Sequence, residues 1–149
     1  MMRILQIFGI LLLLITSIGA LAAGYSLIVD PSGQGIQLPL EYLDHSPFSN
    51  FLIPGITLFT VIGLFGLIVL VTSIARMKNY NLLQMGYGVL LTGWIIIQVI
   101  MLQFTYYLHF VFGFIGVYMI VLGLMNRSKK RSTKKSDSLP RSKYFQTLQ

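Results

Sequence analysis

Along the chain, four long apolar stretches alternate with short polar segments. A bilayer crossing takes roughly 20 mostly apolar residues. Ile4 to Gly24, about Pro54 to Ala75, about Leu82 to Leu102 and about Tyr106 to Met125 all reach that length. None of them holds an Asp, Glu, Lys or Arg. The pattern predicts an all-α membrane protein. A four-transmembrane-helix bundle would occupy residues 1–126, with a tail over 127–149.

Between the first two apolar stretches lies LPLEYLDHSPFSNFLIPG, residues 38 to 55. It holds two of the four acidic residues and one of the two histidines. Pro39 suits the first turn of a short helix through LEYLDH, and Pro54 suits the first helical position of the second span. Ser46 and Pro47 can cap and start a turn, and Tyr42, Phe48 and Phe51 are spaced to rest at a membrane interface, where aromatic side chains concentrate. The segment therefore reads as an interfacial loop with a short helix, a lid over the outer end of the bundle.

Composition agrees with a lipid solvent. The chain is 55% hydrophobic and 10% charged, with mean hydropathy +0.77. Soluble domains carry about 25% charged residues. All eleven Lys and Arg fall on one side of the predicted spans: Arg3, Arg76, Lys78 and eight after the fourth span. Asp30, Glu41 and Asp44 fall on the other. Positive charge marks the cytoplasmic face, so both termini are expected on the cytoplasmic side.

A second reading of the first stretch stays open. Arg3, an apolar run and the small residues ALAAG (20–24) also resemble a secretory signal peptide, and cleavage after Ala22 would leave three spans. The run exceeds the usual signal core of about 7–15 residues, which favours a retained helix.

The chemistry on offer is sparse. Without cysteine, disulfide exchange, iron–sulfur ligation, thiolate zinc sites and cysteine nucleophiles are excluded. Without an ionised group in a span, aspartate-pair and HExxH intramembrane proteolysis are excluded, and proton-coupled transport through the bundle centre loses its usual carrier. No cofactor is expected.

Four sets of residues remain. Gly86 and Gly93 share one helix face, as do Gly116 and Gly123, a spacing that suits close left-handed packing. Gly55, Gly66 and Ser73 form a comparable row, as do Thr16, Ala20 and Gly24. Tyr87, Trp94 and Gln98 share a face of the third helix and, with His109, suggest a polar pocket; a purely structural role for them is the simpler alternative. Glu41, Asp44 and His45 could meet His109 if the lid folds over the bundle, and carboxylates with imidazoles are ligands for a divalent metal. The simpler alternative is a local Glu41–His45 pair, with His109 hydrogen-bonded at headgroup level. In the tail, Lys129, Lys130, Arg131, Lys134 and Lys135 would attract anionic lipid headgroups by about 1 kcal/mol per charge. That tail is too polar to bury a core and is expected to lack fixed structure.

DPSG (30–33), LPL (38–40), SPF (46–48) and LIPG (52–55), with Trp94, Gln98 and the glycine-rich fourth span, resemble a family of small uncharacterised bacterial membrane proteins with four spans. The similarity is densest from Asp30 to Gly66 and leaves out the basic tail. It implies a bacterial inner-membrane setting and no particular activity, and a histidine is not expected where His45 stands.

The leading expectation is a non-enzymatic accessory subunit or assembly factor. It would contact the lipid bilayer, anionic headgroups and another membrane protein or its own copies, with no nucleic-acid partner. The alternative is a small oligomeric carrier or channel for a neutral or lipophilic solute, which requires a cavity lined by Trp94, Gln98 and His109. An enzyme with an outer-face metal site is a third.

Overall fold

The computed structural model describes residues 2–102 and 107–137. Four helices dominate: α1 (Met2–Val29), α2 (Leu52–Ile74), α3 (Tyr80–Leu102) and α4 (Tyr107–Asp137). All four are long and apolar enough to cross a membrane, α4 through its Tyr107–Ser128 part. The described residues contain no strand.

Local chemistry sets the ends of the helices. α1 continues past Gly24 to Val29 and stops before Asp30, whose neighbour Pro31 disfavours helical backbone at the residue before it. α2 begins at Leu52, two residues earlier than the proline suggested, with the Leu52 N–H donated to Asn50 Oδ1 at 3.1 Å. Pro54 is then the third helical residue, still within the first turn, where an absent N–H goes unmissed. α2 ends where Arg76 takes a left-handed conformation (φ 49°). The Met77 N–H then reaches Thr72 O at 3.0 Å and the Arg76 N–H reaches Ser73 O at 3.4 Å, the paired bonds that close a Schellman cap.

The sequence reading stopped the ordered chain near Met125. Instead α4 runs on to Asp137, carrying Lys129, Lys130, Arg131, Lys134 and Lys135 on its extension. Nothing between Arg127 and Asp137 is a glycine or proline. Extending a helix already nucleated in the bundle avoids the unfavourable first turn. Residues 138–149 of the tail lie outside the described residues.

The helices pack as two antiparallel pairs. In the first, Gly24 and Gly55 bring α1 onto α2: a Cβ on Gly24 would stand 2.9 Å from Gly55 O, and one on Gly55 would stand 2.7 Å from Leu27 Cβ. In the second, a Cβ on Gly88 would stand 2.9 Å from the Ile120 nitrogen, and one on Gly123 would stand 2.7 Å from Asn81 O. Gly116 lies against Thr92 and Gly88. Gly116 and Gly123 are thus at the α3–α4 contact. Gly86 and Gly93 are not, since nothing lies within 4 Å of where their side chains would begin. The close approach on α3 is made by Gly88. Seven-residue spacing groups positions onto a face but leaves open which face meets the neighbour.

Within α2, residues Leu58–Leu64 form a π-helix, flanked by α-helical Leu52–Thr57 and Phe65–Ile74. Gly55 and Gly63 both face α1, against Leu27 and Leu21. A straight α-helix would set residues eight apart about 80° from each other. The wider turn advances less per residue and brings the two glycines into line. Beyond it, Gly66 sits between Ser17 of α1 and Tyr87 of α3.

The pairs join in a core around Leu13, Val69, Tyr87 and Met119, all with no exposed surface. The interior is more polar than the apolar spans suggest, because Thr16, Ser17, Ser73, Asn81 and Gln84 are all buried there.

Candidate functional site: a loop-capped cavity

The segment between α1 and α2 folds into a lid. Asp30 accepts from the Ser32 hydroxyl at 2.6 Å, the Ser32 N–H at 3.2 Å and the Gly35 N–H at 2.8 Å. These bonds, led by Ser32, hold its carboxyl below the ordinary aspartate value of 3.8. Gly33 turns the chain with φ 75°, and the Phe51 N–H reaches Pro31 O at 2.9 Å, tying the end of the lid to its start. Two short 3₁₀ turns follow the clasp, Gln34–Ile36 and Leu40–Leu43. Leu43 and Phe51 are buried against Leu27, with Ile36, Leu38, Tyr42, Phe48 and Met101 packed around them. The aromatic residues expected at the membrane surface thus seal the lid onto the bundle.

Beneath the lid is a cavity of about 300 Å³. Its walls come from all four helices, and Ile36, Leu38 and Tyr42 roof it. Most of the lining is apolar, with polar side chains from Thr16, Tyr42, Trp94, Gln98 and His109. Thr16 Oγ1 and Trp94 Nε1 are buried and make no hydrogen bond with the described chain. Thr16 was legible only as one of a small-residue row; its place in the cavity follows from the level at which α1 crosses α2.

Trp94, Gln98 and His109 all line this cavity. Tyr87 does not join them. It lies deeper, in the core, with its ring 6.3 Å from that of Phe65 and its phenol beside the Ser17 hydroxyl, short of hydrogen-bond geometry. Tyr87 and Trp94 share a helix face, but seven residues at about 1.5 Å each put them a full 10 Å apart along the axis.

The metal candidates do not converge. Glu41, Asp44 and His45 are exposed, while His109 is buried in the cavity wall. No group of three His, Cys, Asp or Glu suited to a metal exists among the described residues. LEYL forms a 3₁₀ turn that ends at Leu43, so Glu41 and His45 do not stack as on an α-helix. Burying Leu43 turns its polar neighbours to solvent.

The cavity sits at the loop end of the bundle. At the opposite end, which carries Arg3, Arg76, Lys78 and Arg127, α1 and α4 close on each other. There the Tyr118 hydroxyl donates to Leu5 O at 2.9 Å and the Asn126 amide donates to Gln6 Oε1 at 2.7 Å. Phe8 meets Tyr118 edge-on at 5.5 Å. No family model matches the sequence, no curated protein matches it and no solved structure matches the fold.

Proposed function

We propose that the protein binds a lipophilic molecule within the bilayer, as a small carrier that takes up and releases its solute from the membrane. The observation that carries this reading is the lid-capped cavity with Trp94, Gln98 and His109 in its walls. Its volume lies at the lower end of the range for ligand sites, about 300–1,000 Å³. Apolar walls with a few placed polar groups suit a mostly hydrocarbon ligand bearing a hydrogen-bonding atom. With the basic end inside, the cavity stands in the outer half of a bacterial inner membrane.

Trp94 is the only tryptophan, so its fluorescence reports on the cavity alone. Purified protein in detergent would be titrated with a phospholipid brominated in its acyl chain. Saturable, stoichiometric quenching is expected, and Ala20→Phe, which projects a ring into the cavity, should remove it. Quenching that rises without saturation and ignores Ala20→Phe would refute the reading.

A second reading, the accessory subunit, draws on Gly86 and Gly93, whose shared face of α3 is left open. A partner helix can approach closely at such a face. A stoichiometric partner that co-purifies in mild detergent, and is lost on replacing both glycines with Leu, would support it. Partner-free protein would count against it.

A further inference from the structure

We infer that the cavity loads sideways, through a gap between α1 and α4, and that its occupant is the hydrocarbon chain of a membrane lipid. The inference rests on the cavity being a binding site and adds the route and the class of ligand.

Exposure locates the opening. Of the described residues that line the cavity, only Gly19 on α1 and Leu108 on α4 are exposed. Nothing stands within 4 Å of where a Gly19 side chain would begin. The two helices touch at the basic end, where a Cβ on Gly9 would come within 2.6 Å of Leu122 Cδ2. Ten residues on from Gly9 and ten back from Leu122, Gly19 stands level with Phe112. Four residues further, Ala23 stands level with Leu108. All four of these residues line the cavity instead of closing the α1–α4 seam. The helices therefore meet at one end and part at the other. The bonds from Tyr118 to Leu5 and from Asn126 to Gln6 pin the closed end.

The position of the gap selects the occupant. It opens at the side of helices whose outer surfaces face hydrocarbon, not at the lid. Leu108, Phe110, Val111 and Phe114 on α4 and Ile15 and Ile18 on α1 are exposed apolar side chains around it. A second copy's helix does not fit: one α-helical turn, about 10 Å across and 5.4 Å tall, already exceeds 300 Å³. The end portion of a single unbranched lipid chain, far slimmer than a helix, is the occupant this volume admits, the rest of the chain lying in the gap. The buried, unpartnered Thr16 hydroxyl and Trp94 indole N–H offer donors to an oxygen carried on that chain.

The cysteine-free sequence permits a direct test. Three double-cysteine proteins would be prepared: Ala23→Cys with Leu108→Cys across the gap, Gln6→Cys with Asn126→Cys at the closed end, and Leu43→Cys with Met101→Cys between lid and α3. Each would be loaded with brominated phospholipid and bridged by a thiol linker that a reductant cleaves. Excess unlabelled phospholipid would then be added, and recovery of Trp94 fluorescence would report exchange. Bridging the gap should slow recovery by an order of magnitude or more, with full return on cleavage, while the other two bridges leave the rate unchanged. Because each protein serves as its own cleaved control, misfolding cannot imitate this result. If the lid bridge stops exchange and the gap bridge does not, lateral loading is overturned while lipid binding stands. If no unbridged protein shows saturable quenching, the binding reading itself has failed, and the inference with it.

Discussion

Gly86 and Gly88 stand two residues apart on α3 in opposite surroundings. A side chain on Gly88 would run into the α4 backbone, whereas one on Gly86 would meet open space. Gly88→Val is therefore expected to destabilise the bundle by at least the 1–3 kcal/mol typical of overpacking, and Gly86→Val to be near neutral; thermal unfolding in detergent compares them. Asp30 makes a second residue-scale case. Its carboxyl is held below its ordinary value, so the clasp contributes stability above the unfolded-state value near 3.8 and loses it only as pH falls through the lower folded-state value. Lid protection in hydrogen exchange should thus persist through mildly acid pH. Asp30→Asn gives up the charge-assisted bonds to Ser32 and Gly35 and should speed exchange over residues 32–36 several-fold at neutral pH. Neither case was fully legible in sequence: the clasp at Asp30 was not read from DPSG, and which glycine meets a neighbour depends on a helix not yet placed.

At the scale of elements, the π-helical turn in α2 keeps two glycines on one side of the helix. Inserting an alanine after the exposed Thr60, in a turn already widened beyond α-helical pitch, is expected to turn Leu52–Thr57 by about 100° against the rest of α2 and unseat Gly55 from Leu27. The resulting loss should appear as a lower unfolding temperature and a lid that exchanges faster. α1 carries a prediction on the signal-peptide alternative. Leu13, Thr16, Ser17 and Ala20 are all buried in the bundle, and Thr16, Gly19 and Ala20 line the cavity. Removing residues 1–22 would strip one wall from both, so intact-mass measurement of the purified protein is expected to find them retained. No apolar count could decide this, because a signal core and a packed helix are alike until their neighbours are known.

For the whole molecule, two tight helix pairs joined unevenly leave space at the loop end, while α1 and α4 are bonded together at the basic end. Cavity and core therefore respond differently to added bulk. Ala20→Phe should abolish saturable lipid quenching of Trp94. Gly66→Leu, directed at Ser17 and Tyr87 in the core, should lower the unfolding temperature whether or not lipid is bound. Measuring both properties on both variants separates the site from the scaffold.

Four crossings and the polar segment between the first two could be read from the sequence. Each depends only on a run of side chains and the solvent they require, and hydrocarbon requires every backbone group to be paired, which a continuous apolar run of about 20 residues achieves as a helix. Trp94, Gln98 and His109 were identifiable as a group because polar side chains in apolar spans stand out one by one. Tertiary structure decided the rest. It put Tyr87 in the core, placed Gly88 rather than Gly86 and Gly93 at the α3–α4 contact, and dispersed Glu41, Asp44, His45 and His109. It also parted α1 from α4 where a cavity could form. The physical reason is common to all of these. A helix's own sequence sets the periodicity of its faces, but the depth, rotation and crossing of each face are fixed only when another helix packs against it.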